Sequence, residues 1–236
     1  MRNAHVWKPG FVCVNTDGSV RADLSRVYGG SQHITSLQVP AVAACINRYT
    51  YGELLDAGCG SMPYYELLRK LSHTITALDH DEKNPYADHI CDLNLRWPCD
   101  DQSADTILLL DVIAHVTKPA HVFSECARCL KPGGRLILST PFVYWNSMHP
   151  HDYFHPSASA LEMLAHESGL RILQLESYGG YPDVLLDTLN KGAATGIKNK
   201  LFRLFKSLVI KTRAYRKSNE KTLYSYPLGY VCVATK

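Results

Sequence analysis

The chain has 236 residues, 46% of them hydrophobic and 20% charged, with a formal net charge of +3. That length suits one domain with room for an insertion, and the composition excludes a disordered chain, a collagen-like chain and a disulfide miniprotein. No run approaches the ~18 apolar residues of a spanning helix, and Met1 to Gly10 lack the apolar core of a secretory signal, so a cytoplasmic protein is expected.

The N-terminal segment, 1–50, carries a turn signal at Asn15-Thr16-Asp17-Gly18-Ser19 within an irregular stretch from Phe11 to Tyr28. Tyr28-Gly29-Gly30-Ser31-Gln32-His33 then precedes a helix expected over Ser36 to Tyr49. This segment reads either as a lid over a ligand pocket or as ordinary packing. From residue 51 short apolar runs alternate with helical patterns, which argues for a parallel sheet covered by helices. Strands are expected at 53–56, 74–78, 106–110, 135–139, 171–175 and 229–234, and helices at 64–71, 120–130 and 157–168. The core is therefore assigned to 51–180, a basic helical insertion to 181–226 and a final core strand to 227–236. Eight scattered cysteines, several in apolar runs, read as reduced small hydrophobes. Cys126-x-x-Cys129 sits in a helical pattern without a second pair at zinc-ligand spacing, so packing is expected there and no metal is assigned.

The sharpest signal is Leu54-Leu55-Asp56-Ala57-Gly58-Cys59-Gly60, a buried strand running into a glycine turn and then a helix. Glycines let the backbone approach a ligand closely. A dinucleotide site would want a small residue where Pro63 stands, and Asp56 repels phosphate but suits a cationic ligand. S-adenosylmethionine, with its ammonium and sulfonium groups, fits. The second strand ends in Leu78-Asp79-His80, where an acid accepts from both ribose hydroxyls. Cys91-Asp92-Leu93 is placed to flank an adenine. Three acids in register after successive strands are far more specific than any one of them.

At this point the sequence resembles the class I S-adenosylmethionine-dependent methyltransferases, most closely the group with a type-11 methyltransferase domain. The resemblance covers roughly Glu53 to Gly180 and rests on the glycine loop, on 97–105 (Trp-Pro-Cys-Asp-Asp-Gln-Ser-Ala-Asp), on 110–116 (Leu-Asp-Val-Ile-Ala-His-Val) and on Leu130-Lys131-Pro132-Gly133-Gly134. It implies an α/β, Rossmann-like fold: a seven-stranded, mostly parallel sheet with helices on both faces and an antiparallel last strand. It implies S-adenosylmethionine as cofactor, with Asp56, Gly58, Gly60 and Asp111 around the methionine part, Asp79 at the ribose and Asp92 with Leu93 near the adenine. Where the family commonly has Glu before the histidine this chain has Ala114, which weakens the case for a metal-assisted mechanism.

Methyl transfer to a hydroxyl benefits from a base, and in α/β sheets ligands bind beyond the carboxyl ends of strands. There this chain places Tyr144 and Trp145, which can stack on a ring, and then His149, His151, Asp152 and His155. His151 is the first candidate for the base and His115 the second; Tyr144, Trp145, His149, Asp152 and His155 are assigned to the acceptor.

Between Lys191 and Lys221 ten basic residues face one acid, Glu220, a local charge of +9 against −6 for the rest of the chain. Ile197, Leu201, Leu204, Phe205, Leu208 and Val209 form one helical stripe, with Arg203, Lys206, Lys211 and Arg213 opposite. Either the stripe packs on the domain with the basic face solvated, or residues 197–217 form an interfacial helix that meets anionic lipid at the inner membrane face. Nucleic-acid contact has no recognition motif behind it. The reading is an O-methyltransferase acting on a sugar, glycan or other small-molecule hydroxyl, the pattern being similar to methyltransferases of surface-polysaccharide biosynthesis. The alternatives are an RNA methyltransferase and a non-catalytic cofactor-binding regulator of a partner enzyme.

Overall fold

The computed structural model describes residues 3–146, 151–192 and 196–236. Near the start, β1 (Val12–Val14) and β2 (Val20–Ala22) pair antiparallel across the expected turn, so this stretch is a hairpin and not irregular. Strands of three residues are too short for period-two alternation to register. Asp17 holds the turn, accepting from the Ser19 N–H and hydroxyl. Helix α1 (Gln32–Tyr49) begins four residues before the expected start.

The core follows as β3 (Glu53–Ala57), α2 (Tyr65–Leu71), β4 (Thr74–Asp79), β5 (His89–Ile90), β6 (Ala104–Leu110), α3 (Pro119–Cys129), β7 (Leu130–Pro141), α4 (Ala158–Glu167) and β8 (Arg171–Tyr178). Then come α5 (Tyr181–Gly192), α6 (Gly196–Val209), α7 (Arg213–Thr222) and β9 (Gly229–Thr235). The seven-stranded sheet has the order β5-β4-β3-β6-β7-β9-β8. Strands β5, β4, β3, β6 and β7 run parallel, and β9 is antiparallel to both neighbours, as expected of the last strand. Strand β7 is longer than expected because it runs through Pro132-Gly133-Gly134; a register shift opposite Ala104 and Thr106 absorbs the turn, with Gly133 at φ +82°.

The inner strands are apolar on both faces because helices cover both. Leu55, Ile107, Leu109, Leu136 and Leu138 enter one core with Phe123 of α3 and Leu161 of α4. Leu54, Leu108 and Ile137 enter the other with Val42 and Ile46 of α1 and Leu68 of α2. Ile107, Leu108, Ile137 and Leu138 are wholly buried, each contributing roughly 1.5–3 kcal/mol. The carboxyl ends of β3, β4 and β6 are thereby held on rigid supports, and the site lies there.

The basic segment departs from the expected single helix. It breaks between α6 and α7, where the Thr212 hydroxyl caps α7 by accepting from the Tyr215 N–H. Helix α6 turns Phe202 inward and leaves Leu201, Leu204, Phe205 and Leu208 exposed, so these four residues of the predicted stripe face solvent, against the alternative in which the stripe packs on the domain. The inward face is set by Phe202 and by Lys206, whose ammonium burial holds below its usual pKa. Among the described residues no helix is long and apolar enough to cross a membrane.

Candidate active site

The glycine turn after β3 needs glycine for two reasons. Gly58 sits at φ +82°, and a Cβ there would stand 2.4 Å from Cγ2 of Val112. The Gly60 N–H donates to Asp79 at 2.8 Å, joining the turn to the end of β4. Asp79 also accepts from Asn84 Nδ2 at 2.8 Å and from the Asp81 N–H at 3.1 Å. Burial works against its charge, but these donors hold the carboxyl below the usual range. Beyond β5, Asp92 accepts from the N–H and side chain of Asn94, both at 2.8 Å.

A cavity of about 810 Å³ opens here, lined by Gly58, Gly60, Asp79, Asp92, Leu93, Asp111, His115 and His151 among others. Six predicted cofactor residues and both candidate bases thus share one space. Asp56 lies elsewhere: it lines a smaller cavity, about 70 Å³, with Gln38, Tyr64 and Ser139, which shares Gly58 and Asp111 with the first. Burial, and the charge of Asp79 nearby, push the Asp56 carboxyl up to about 7. Asp111 adopts a left-handed backbone at φ 57°. Gln38 Nε2 reaches both its carboxylate oxygens at 2.7 Å, and the Ser139 hydroxyl donates at 2.9 Å. Burial raises the Asp111 carboxyl against these hydrogen bonds.

The residues assigned to the acceptor from the sequence divide. His115 Nδ1 lies 2.5 Å from the main-chain oxygen of His151, and the Tyr153 N–H donates to the Ala114 carbonyl at 2.8 Å, so the loop at 151–153 is seated on the turn after β6. Tyr144 and Trp145 do not line that cavity. Trp145 stacks on Tyr28, with centroids 6.5 Å apart, and the Tyr144 hydroxyl is 3.2 Å from the hydroxyl of Ser31. Lys191 of α5 sits with Nζ 4.2 Å from the Tyr144 ring and 5.7 Å from that of Trp145. His155 joins this group, 6.5 Å from Tyr144, and pairs with Asp152 at 3.0 Å. His149 lies outside the described residues.

Sequence reasoning missed Gln38, Asn84, Ser139 and Lys191. Gln38 alone had a signal, a polar residue inside the apolar run Leu37-Gln38-Val39-Pro40-Ala41-Val42. The donor set fits S-adenosylmethionine: buried Asp56 and half-buried Asp111 suit its cationic end, and strand-end acids along the large cavity suit a ribose and adenine.

Residues 55–138 match the family model of a methyltransferase domain. They form a class I S-adenosylmethionine-dependent methyltransferase domain. A ubiquinone biosynthesis O-methyltransferase of Caulobacter sp. is 33% identical to this chain over 100 aligned positions, which cover 37% of this chain and 40% of that protein. One of Coxiella burnetii is 29% identical over 162 residues, 55% of this chain and 68% of the other. The match to the Caulobacter protein thus spans well under half of that relative's length. The fold agrees with that of an S-adenosylmethionine-dependent methyltransferase from Mesorhizobium loti, at a TM-score of 0.57 and 15% identity, covering 84% of this chain and 96% of that one. The methyltransferase domain therefore takes S-adenosylmethionine as its cofactor.

Proposed function

We propose that the chain is an O-methyltransferase that transfers a methyl group to the hydroxyl of a small molecule, with a sugar or glycan as the acceptor class. The observation that carries this is the histidine pair in the cofactor cavity, His115 held by the carbonyl of His151. S-adenosylmethionine supplies the electrophilic methyl when bound. Asp79 would hold its ribose, Asp92 and Leu93 its adenine, and Gly58, Gly60, Asp56 and Asp111 its methionine part. The anchored ring of His115 favours it over His151, the first candidate from the sequence, as the group that takes the hydroxyl proton while the acceptor oxygen attacks. Tyr144 and Trp145 offer ring faces on which a sugar stacks, and their packing on Tyr28 and Lys191 supports a preformed surface. The relatives named as O-methyltransferases support oxygen as the methylated atom.

The same reading has the enzyme meet its acceptor at an anionic membrane surface, as a lipid-linked glycan requires. Ten basic residues against one acid between Lys191 and Lys221 support that. An acceptor screen with methyl-labelled S-adenosylmethionine tests the reaction. Label on a sugar or phenolic hydroxyl supports it. Label only on RNA, or cofactor binding without turnover on any acceptor, overturns it.

A further inference from the structure

We infer that α6 is a membrane-inserting element: its Leu201-Leu204-Phe205-Leu208 stripe docks the protein on an anionic bilayer by burying apolar side chains among the headgroups. The inference rests on the membrane reading above and replaces contact by charge alone with insertion. These four residues, at i, i+3, i+4 and i+7, are 63%, 62%, 51% and 63% exposed. They form a continuous apolar stripe on a helix that keeps Phe202 for its contact with the domain. Leu185 and Leu189, one turn apart on α5, are 46% and 54% exposed as well. Scattered exposed leucines are normal, but a stripe of this kind marks an interaction surface.

Charge decides what covers the stripe. Arg203, Lys211, Arg213, Arg216, Lys217 and Lys221 are exposed, and among the described residues none forms an ion pair. A second copy laid on this face would bring two such basic sets together, which like-charge repulsion opposes. An anionic headgroup layer answers both features, since it attracts the basic side chains and accepts leucine and phenylalanine at its acyl boundary.

The helix is not a loose tether. Asp183 of α5, buried, accepts from the half-buried Tyr215 hydroxyl of α7 and lies 2.8 Å from Nε2 of buried His33 of α1. Lys191 then joins α5 to the Tyr144–Trp145 pair. The helix that follows α6 is thus anchored to the same α5 that carries Lys191 over the aromatic pair.

The test is vesicle flotation of the full chain without cofactor or acceptor, so that its failure leaves the methyl-transfer reading standing. Phosphatidylcholine vesicles are compared with phosphatidylcholine–phosphatidylglycerol vesicles. The wild type is set beside Leu204→Ser, Leu208→Ser and a variant with Arg203, Lys211 and Arg213 changed to Gln. The expected result is flotation with the anionic vesicles, a partition coefficient lowered roughly tenfold by each leucine substitution, and unchanged Tm because the side chains are exposed. Flotation of the wild type should weaken but persist at about 1 M salt, where the Debye length falls to about 3 Å. Loss of binding in the Gln variant with none in the serine variants shows contact by charge alone and overturns insertion while sparing the membrane reading. No wild-type flotation overturns both. So does a dimer in gel filtration that Leu204→Ser dissociates, or tight RNA binding indifferent to both serine variants with no flotation.

Discussion

The ring of His115 meets the main-chain oxygen of His151 at 2.5 Å. A carbonyl only accepts, so Nδ1 is the donor and Nε2 is the nitrogen left to act as a base. The contact uses the backbone of His151, which any residue there retains. His115→Ala should therefore lower kcat by about 10²–10⁴-fold with little change in cofactor Kd, while His151→Ala should cost less. Steady-state kinetics with labelled cofactor and calorimetry check this; a larger loss of kcat in His151→Ala would exchange the two roles.

Asp56 and Asp79 stand at adjacent strand ends, and the hydrogen bonds converge on Asp79. Burial first, and the Asp79 charge second, disfavour the Asp56 carboxylate, so Asp56 holds its proton to about pH 7. Its folded pKa lies above the unfolded value, so the native state binds more protons between about pH 4 and 7 and stability falls as pH rises through that window. A shift of that size corresponds to an upper bound on the order of 4 kcal/mol. A cationic ligand reverses the preference by stabilising the carboxylate. Cofactor affinity should thus rise between pH 6 and 8, and Asp56→Asn should flatten that rise while raising the Tm of the free protein at pH 8. Calorimetry and thermal melts across this range are the measurements; a pH-independent affinity in the wild type removes Asp56 from the cofactor's cationic end.

Asp79→Ala removes the acceptor at the end of β4 and frees the Gly60 N–H that it holds. Cofactor Kd should rise by roughly 10–100-fold, the cost of lost hydrogen bonds to a charged group. An unchanged Kd by calorimetry would sink the ribose assignment.

What was legible in the sequence was whatever local pattern encodes. Continuous apolar runs marked β3, β6 and β7 because both faces are covered, and the acids that terminate β3 and β4 could be numbered from the glycine turn. Strand β5 has two residues and no period to read. The Gln38–Asp111 contact closes 73 residues of chain, and only tertiary packing brings α1 over the end of β6. The α6 stripe was visible as amphipathic, but amphipathicity does not say which face meets the domain. One aromatic, Phe202, outside the stripe settles that. Tyr144 and Trp145 were correctly read as following β7, yet their distance from the cofactor cavity depends on Tyr28 and Lys191, which lie far from them in the chain.

Lys191 offers the last test, because it ties Tyr144 and Trp145 to α5 while pairing with buried Asp187. Lys191→Met keeps the apolar stem but removes the cation above Tyr144 and strands the Asp187 carboxylate, a loss of about 3–5 kcal/mol when one partner of a buried pair is removed. Adding Asp187→Asn removes the stranded charge and should restore much of the Tm. If the lysine positions the aromatic face, acceptor KM should stay several-fold high in the double variant, with cofactor Kd unchanged, because the cation–π contact is still missing. Recovery of KM together with Tm would mean that Lys191 serves stability alone. A high KM in a restored fold separates positioning from folding, since only positioning depends on the ammonium over the ring.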